Sequence, residues 1–143
     1  MNNSDLKKHS LFGGLDDEQI EKIIPLMGHE EYEAGFDIIV EGSPCDKIYF
    51  ILKGRVAVVR ENAVLSEFGV GEMFGEMEVL EIVPSAATIK TLEQVTLMTI
   101  SNRSLREIYR IDSKIFAIML MNLARDLSRR LRRMDEERAA SLQ

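Results

Sequence analysis

The side chains of this sequence that could do chemistry are few, and their spacing excludes most of it. His9 and His29 stand 20 residues apart, outside any HExxH or paired-histidine metal spacing, so both read as surface or loop residues and no metal site is expected. Cys45 is the single cysteine. It cannot close an intrachain disulfide or assemble a thiolate zinc site or an iron–sulfur cluster, which fits a reducing compartment. No GxSxG elbow, Cys/His pair or Walker P-loop occurs, and the run Gly69-Val70-Gly71-Glu72-Met73-Phe74-Gly75 has the wrong glycine spacing for a dinucleotide fingerprint. The chain is therefore expected not to be an enzyme; a metal-dependent one would need histidine ligands that are absent. The cluster Arg129, Arg130, Arg132, Arg133 could bind nucleic acid or an anionic membrane, but such charges beside an apolar helical seam read as a solvated face.

The elements that must position these residues follow from periodicity. In LDDEQIEKII, Asp16 is an N-cap with Gln19 at the capping-box position, Leu15 and Ile20 form a hydrophobic staple, and Pro25 disfavours helical geometry at Ile24. From Glu30 to Ile100 the period becomes two, and FDIIV, KIYFIL, RVAVV, VLSEF, ATIKTL and QVTLMTI read as strands between glycine-bearing turns. Many short strands with frequent turns predict a mainly β, antiparallel roll, barrel or sandwich. Ser101 caps a helix over NRSLREIYRI, and Asp112 or Ser113 restarts one with apolar positions Phe116, Leu120, Leu123, Leu127, Leu131 and Met134. That spacing is near a coiled-coil seam and predicts a dimerisation helix; the alternative is a helix lying on its own β-domain. The polar residues after Met134 are expected to fray.

Composition is that of one ordinary globular domain, 45% hydrophobic and 29% charged. Residues 1 to 112 hold 11 Lys/Arg against 20 Asp/Glu, and residues 113 to 143 hold 7 against 4. An acidic body repels nucleic acid, and nothing after the last helix can build a helix-turn-helix, so specific DNA binding by this chain alone is not expected. With no signal-peptide run and no apolar stretch of spanning length, a soluble cytoplasmic protein without membrane contact is expected.

Two ordered motifs carry a resemblance. EGSPCDKIYFILKG, residues 41 to 54, resembles the first signature of the cyclic-nucleotide-binding domain family, the effector-domain type of catabolite activators and protein kinase A regulatory subunits. GEMFGEMEVLEIVPSAATIK, residues 71 to 90, resembles that family's phosphate-binding cassette, in which FGE is followed by apolar residues, a loop and R-(A/S)-A-(S/T). The resemblance runs from about residue 10 to 135. It implies an antiparallel β-roll, a double-stranded, jelly-roll-like helix of strands, with an N-terminal helix and a long C-terminal helix. Residues 10–112 would form the ligand-binding roll and 113–143 the dimerisation helix with its frayed tail.

The resemblance also implies a site made of Phe74, Gly75, Glu76, Met77, Ser85, Ala86 and Ala87. Glu76 would accept the ribose 2′-hydroxyl, and amides near Ala86 would contact a cyclic phosphate. Aligned on the family's PRAATVK, PSAATIK puts Ser85 where the phosphate-pairing arginine belongs, and Glu78 adds an anion where the family has a small residue. Losing a charge-assisted phosphate contact lowers affinity about tenfold to a thousandfold. The expectation is a homodimeric regulatory or sensory domain, with cyclic AMP or cyclic GMP bound at low affinity or another small molecule in its place. The alternative is a ligand-free dimerising scaffold serving an unidentified protein partner, with Glu78 filling the phosphate site.

Overall fold

The computed structural model describes residues 6, 7 and 9 to 142. A 3-10 turn, η1 (Ser10–Phe12), leads into α1 (Asp17–Ile23), where Asp16 accepts from the Gln19 amide and the Gln19 side chain accepts from the Asp16 amide. Pro25 sits in a second 3-10 turn, η2 (Ile24–Leu26); contrary to the expectation, Ile24 keeps helical dihedrals (φ −49°, ψ −45°), and the α-helix tightens into this turn where Pro25 has no N–H to donate.

Eight strands follow: β1 (Gly28–Tyr32), β2 (Asp37–Ile39), β3 (Lys47–Lys53), β4 (Val56–Arg60), β5 (Ala63–Phe68), β6 (Met73–Phe74), β7 (Thr88–Thr91) and β8 (Val95–Ser101), with α2 (Glu76–Glu81) between β6 and β7. They make two antiparallel four-stranded sheets, ordered β1-β8-β3-β6 and β2-β7-β4-β5. The alternation of β3 and β8 explains their unbroken apolar sequences. Tyr49, Ile51, Val95 and Leu97 point between the sheets, whereas Ile48, Phe50, Met98 and Ile100 point to the helices.

Two strands lie outside the sequence expectation. GHEEY, β1, carries no apolar alternation, but it pairs with β8 along its whole length, and a Cβ at Gly28 would collide with the Thr99 hydroxyl opposite. β6 is only two residues long, too short to show a period. His9 also departs from expectation. It is buried, edge-on to Phe50 with ring centroids 5.8 Å apart, because η1 folds under the first sheet.

Ser101 caps α3 (Asn102–Ile111) by accepting from the Ser104 amide, and Asp112 caps α4 (Ser113–Ser141) by accepting from the Lys114 and Ile115 amides. Hydrogen bonding to those amides, reinforced by Lys22, lowers the Asp112 pKa. Ile115, Met119, Asn122 and Leu123 are the buried residues of α4, and the three apolar ones join the core shared by η1, α1 and α3. Asn122 donates from Nδ2 to the Leu11 carbonyl at 2.9 Å and the Gly13 carbonyl at 2.8 Å, fastening the last helix to the start of the fold. Residues beyond Met134 continue the helix to Ser141, contrary to the expected fraying. DEERAAS holds strong helix formers and no Gly or Pro, so exposed backbone can stay helical without packing.

Candidate functional site

The cassette begins at Gly75, which links β6 to α2 with φ 87°. Only glycine fits there. A Cβ would also lie 2.6 Å from the Lys47 carbonyl oxygen, so the backbone must pass β3 closely. Beneath it Tyr49 and Phe74 stack with centroids 4.8 Å apart. The six-residue helix ends at Ile82, itself left-handed at φ 57°, and the chain returns through Ser85 to β7. The return is pinned to the turn at Gly42: the Ser85 amide donates to the Ser43 carbonyl at 2.9 Å and the Gly42 amide donates to the Ser85 carbonyl at 2.8 Å.

These elements enclose a cavity of about 210 Å³ whose lining includes Phe74, Gly75, Glu76, Met77, Ala86 and Ala87. Six of the seven expected site residues thus meet at one place. Ser85 is buried beside it, and its hydroxyl makes no hydrogen bond among the described residues. No guanidinium takes the place that the resemblance assigns to the phosphate-pairing cation. Instead the Ala86 N–H donates to Glu78 Oε1 across 3.5 Å, a long contact that turns a carboxylate toward an amide assigned to a phosphate.

Glu76 is only 2% exposed. Burial raises its pKa, and the adjacent Arg130 opposes that rise. Arg130 reaches in from α4: Nη1 donates to Glu76 Oε1, Nη2 donates to the Met73 carbonyl at 2.8 Å, and the guanidinium lies 5.5 Å from the centroid of Phe68. The basic cluster is therefore divided. Arg129 pairs along the helix with Asp126 at 3.0 Å, while Arg130 belongs to the cavity. The sequence held a signal for this, since Met119, Leu123, Leu127 and Arg130 continue one stripe at helical spacing.

The six seam positions separate as well. Leu123 is buried in the chain's own core, Phe116 and Leu127 are half-buried against it, and Leu120, Leu131 and Met134 are exposed. A larger groove of about 970 Å³ lies elsewhere, between Leu80 and Ile82 of the cassette and the apolar sides of α3 and α4. Among the described residues no three His, Cys, Asp or Glu side chains converge as metal ligands, and no helix is long and apolar enough to cross a membrane.

Comparison with known proteins agrees with this architecture. The chain is 31% identical over 127 residues to glutaminase 2 of Bradyrhizobium diazoefficiens, covering 88% of this chain and 20% of that protein. It is 26% identical over 130 residues to the CRP-like cAMP-activated global transcriptional regulator of Mycobacterium tuberculosis, covering 87% of this chain and 58% of that protein. The chain thus spans about a fifth of one relative and somewhat over half of the other. In fold it matches a cyclic nucleotide-binding domain from Methylobacillus flagellatus with a TM-score of 0.83 at 22% identity, over 94% of this chain and 78% of that one. The family model described as "cyclic nucleotide-binding domain" matches residues 29–112, more than half of the chain and all of β2 to β8, and the chain belongs to that family.

Proposed function

We propose that the chain is a non-catalytic regulatory domain that binds cyclic nucleotides much more weakly than its family cassette otherwise allows. The observation that carries this reading is the contact between Glu78 and the Ala86 amide, beside a neutral Ser85. A cyclic phosphate placed there would have to displace one carboxylate and lie near it without a cation from the cassette. Two like charges about 4 Å apart repel by about 4 kcal/mol at an effective dielectric of 20; screening at this half-exposed position reduces that, yet about 1.4 kcal/mol already lowers affinity tenfold. Two cations line the cavity among the described residues, Arg60 and Arg130, and Arg130 is held by Glu76 and the Met73 carbonyl.

Calorimetric titration of cyclic AMP and cyclic GMP tests the reading. The wild type should bind with Kd above about 100 μM, Ser85→Arg should gain about tenfold, and adding Glu78→Ala should gain more than the sum of the single changes. Low-micromolar binding by the wild type would overturn it.

A second reading, a ligand-free dimerising scaffold, is favoured by Arg130, which already supplies Glu76 with a partner, and by the exposed Leu120, Leu131 and Met134 on α4. On either reading residues 10–112 serve as the β-roll body, ligand-binding only on the first, and 113–143 as the dimerisation helix of a cytoplasmic homodimer.

A further inference from the structure

We propose that the natural occupant of the cavity is a neutral nucleoside, with Glu78 taking the role that a ligand phosphate would otherwise play. The inference rests on the weak cyclic-nucleotide reading above and gives that pocket its ligand class.

Hydrogen-bond polarity carries the argument. Ionised carboxylates only accept, and so does a cyclic phosphate, whose ring also removes the 3′ and 5′ hydroxyl donors of the sugar. Glu78 therefore presents an acceptor where a cyclic nucleotide presents acceptors and negative charge. A free nucleoside offers hydroxyl donors at that same end and carries no charge. Glu78 faces the Ala86 amide through Oε1 at long range, which leaves its other oxygen for a ligand hydroxyl. Glu76 meets Arg130 through Oε1, and a carboxylate with about four lone-pair positions keeps capacity for the 2′-hydroxyl. Ser85, buried beside the cavity with no hydrogen-bond partner for its hydroxyl among the described residues, brings no cation to this end of it.

The remaining walls suit a base. Ile39, Val58, Phe68, Phe74 and Ile89 give the cavity an apolar side.

The full chain titrated by calorimetry with adenosine, guanosine, cyclic AMP and cyclic GMP tests the proposal. At least one nucleoside should bind about tenfold or more tighter than its own cyclic monophosphate. The 2′-deoxynucleoside should bind several-fold more weakly than the ribonucleoside, and Glu78→Ala should weaken the nucleoside while leaving the chain folded by circular dichroism. In the Ser85→Arg, Glu78→Ala double variant the preference should reverse toward the cyclic nucleotide. If no nucleoside binds the wild type at millimolar concentration while the double variant binds cyclic AMP, the nucleoside proposal falls and the weak cyclic-nucleotide reading stands. If the wild type binds a cyclic nucleotide at low micromolar Kd, and as tightly as the nucleoside, both fall. Nucleoside binding unaffected by Glu78→Ala overturns the role given to Glu78.

Discussion

Glu76 and Arg130 form a pair whose two halves lie 54 residues apart, with the carboxylate almost fully buried and the guanidinium at 25% side-chain exposure. Removing Arg130 leaves a buried carboxylate that must either stay charged without its partner or take a proton. Because burial holds the Glu76 pKa above its unfolded value, the fold takes up a proton there more readily than the unfolded chain does, so stability from this group is fullest at low pH and declines as pH rises through the raised pKa. Arg130→Met removes the opposing influence and widens that window upward. The substitution should destabilise by about 2–3 kcal/mol at pH 8, below the usual figure for a buried pair because water reaches Arg130, and by less at pH 5. Urea midpoints at the two pH values check this; an equal loss at both would show that Glu76 does not titrate between them. Gly75→Ala should cost about 1–3 kcal/mol by the same measurement, from positive φ and the close Lys47 carbonyl. The placement of Gly75 and Glu76 at a loop-to-helix junction was readable from FGE, since a glycine and an acidic residue there form a local pattern. Arg130 was hidden among four arginines, and only its place on the buried stripe of α4 distinguishes it.

At the scale of elements, the strands buried on both faces or alternating cleanly were legible, and so were the three capped helix starts. β1 and β6 were not. Their places are fixed by pairing with β8 and β3, and pairing is a tertiary fact that neither GHEEY nor a two-residue strand records. The long helix was legible in extent up to Met134 and misleading in its facing. The apolar positions chosen as a dimer seam overlap the stripe that packs inward, because a 29-residue helix lying partly on its own domain carries two faces with similar spacing. Asn122 separates them, being a buried polar residue with two backbone acceptors that only the inward face supplies. Asn122→Ala should cost about 2–3 kcal/mol, since two carbonyls lose their donor, whereas deletion of residues 135–143 should change stability by less than about 0.5 kcal/mol. Thermal melts of the two variants check both figures.

For the whole molecule, the exposed half of α4 is the surface on which assembly can be tested. Truncation before Asp112 would remove Ile115 and Met119 from the core, so charge substitution is the cleaner variant. Leu131→Glu combined with Met134→Glu should turn a dimer into a monomer at tens of micromolar by light scattering, the order at which an interface of about 6–7 kcal/mol dissociates, without lowering the melting temperature. A monomeric wild type at that concentration would remove the dimer reading. The molecule carries a net charge of −6, and with Arg129 and Arg130 already paired, DNA binding should be weak and lost by about 200 mM salt. A footprint that survives such salt would contradict this.

The clamp between Asn122 and the carbonyls of Leu11 and Gly13 has a consequence for how the protein is made. The first described turn of this domain is completed by its long C-terminal helix, and the neighbouring pair β1 and β8 likewise joins residues about seventy apart in sequence. Contacts of that separation form late, after loop closure. A nascent chain lacking α4 would leave Leu11, Phe12 and the outer face of the first sheet without their cover, an apolar surface open to chaperones and aggregation until synthesis passes Leu123. The domain is therefore expected to fold only once α4 is available to it, and arrested chains that expose residues through about 112 should remain protease-sensitive where chains exposed through about 135 do not.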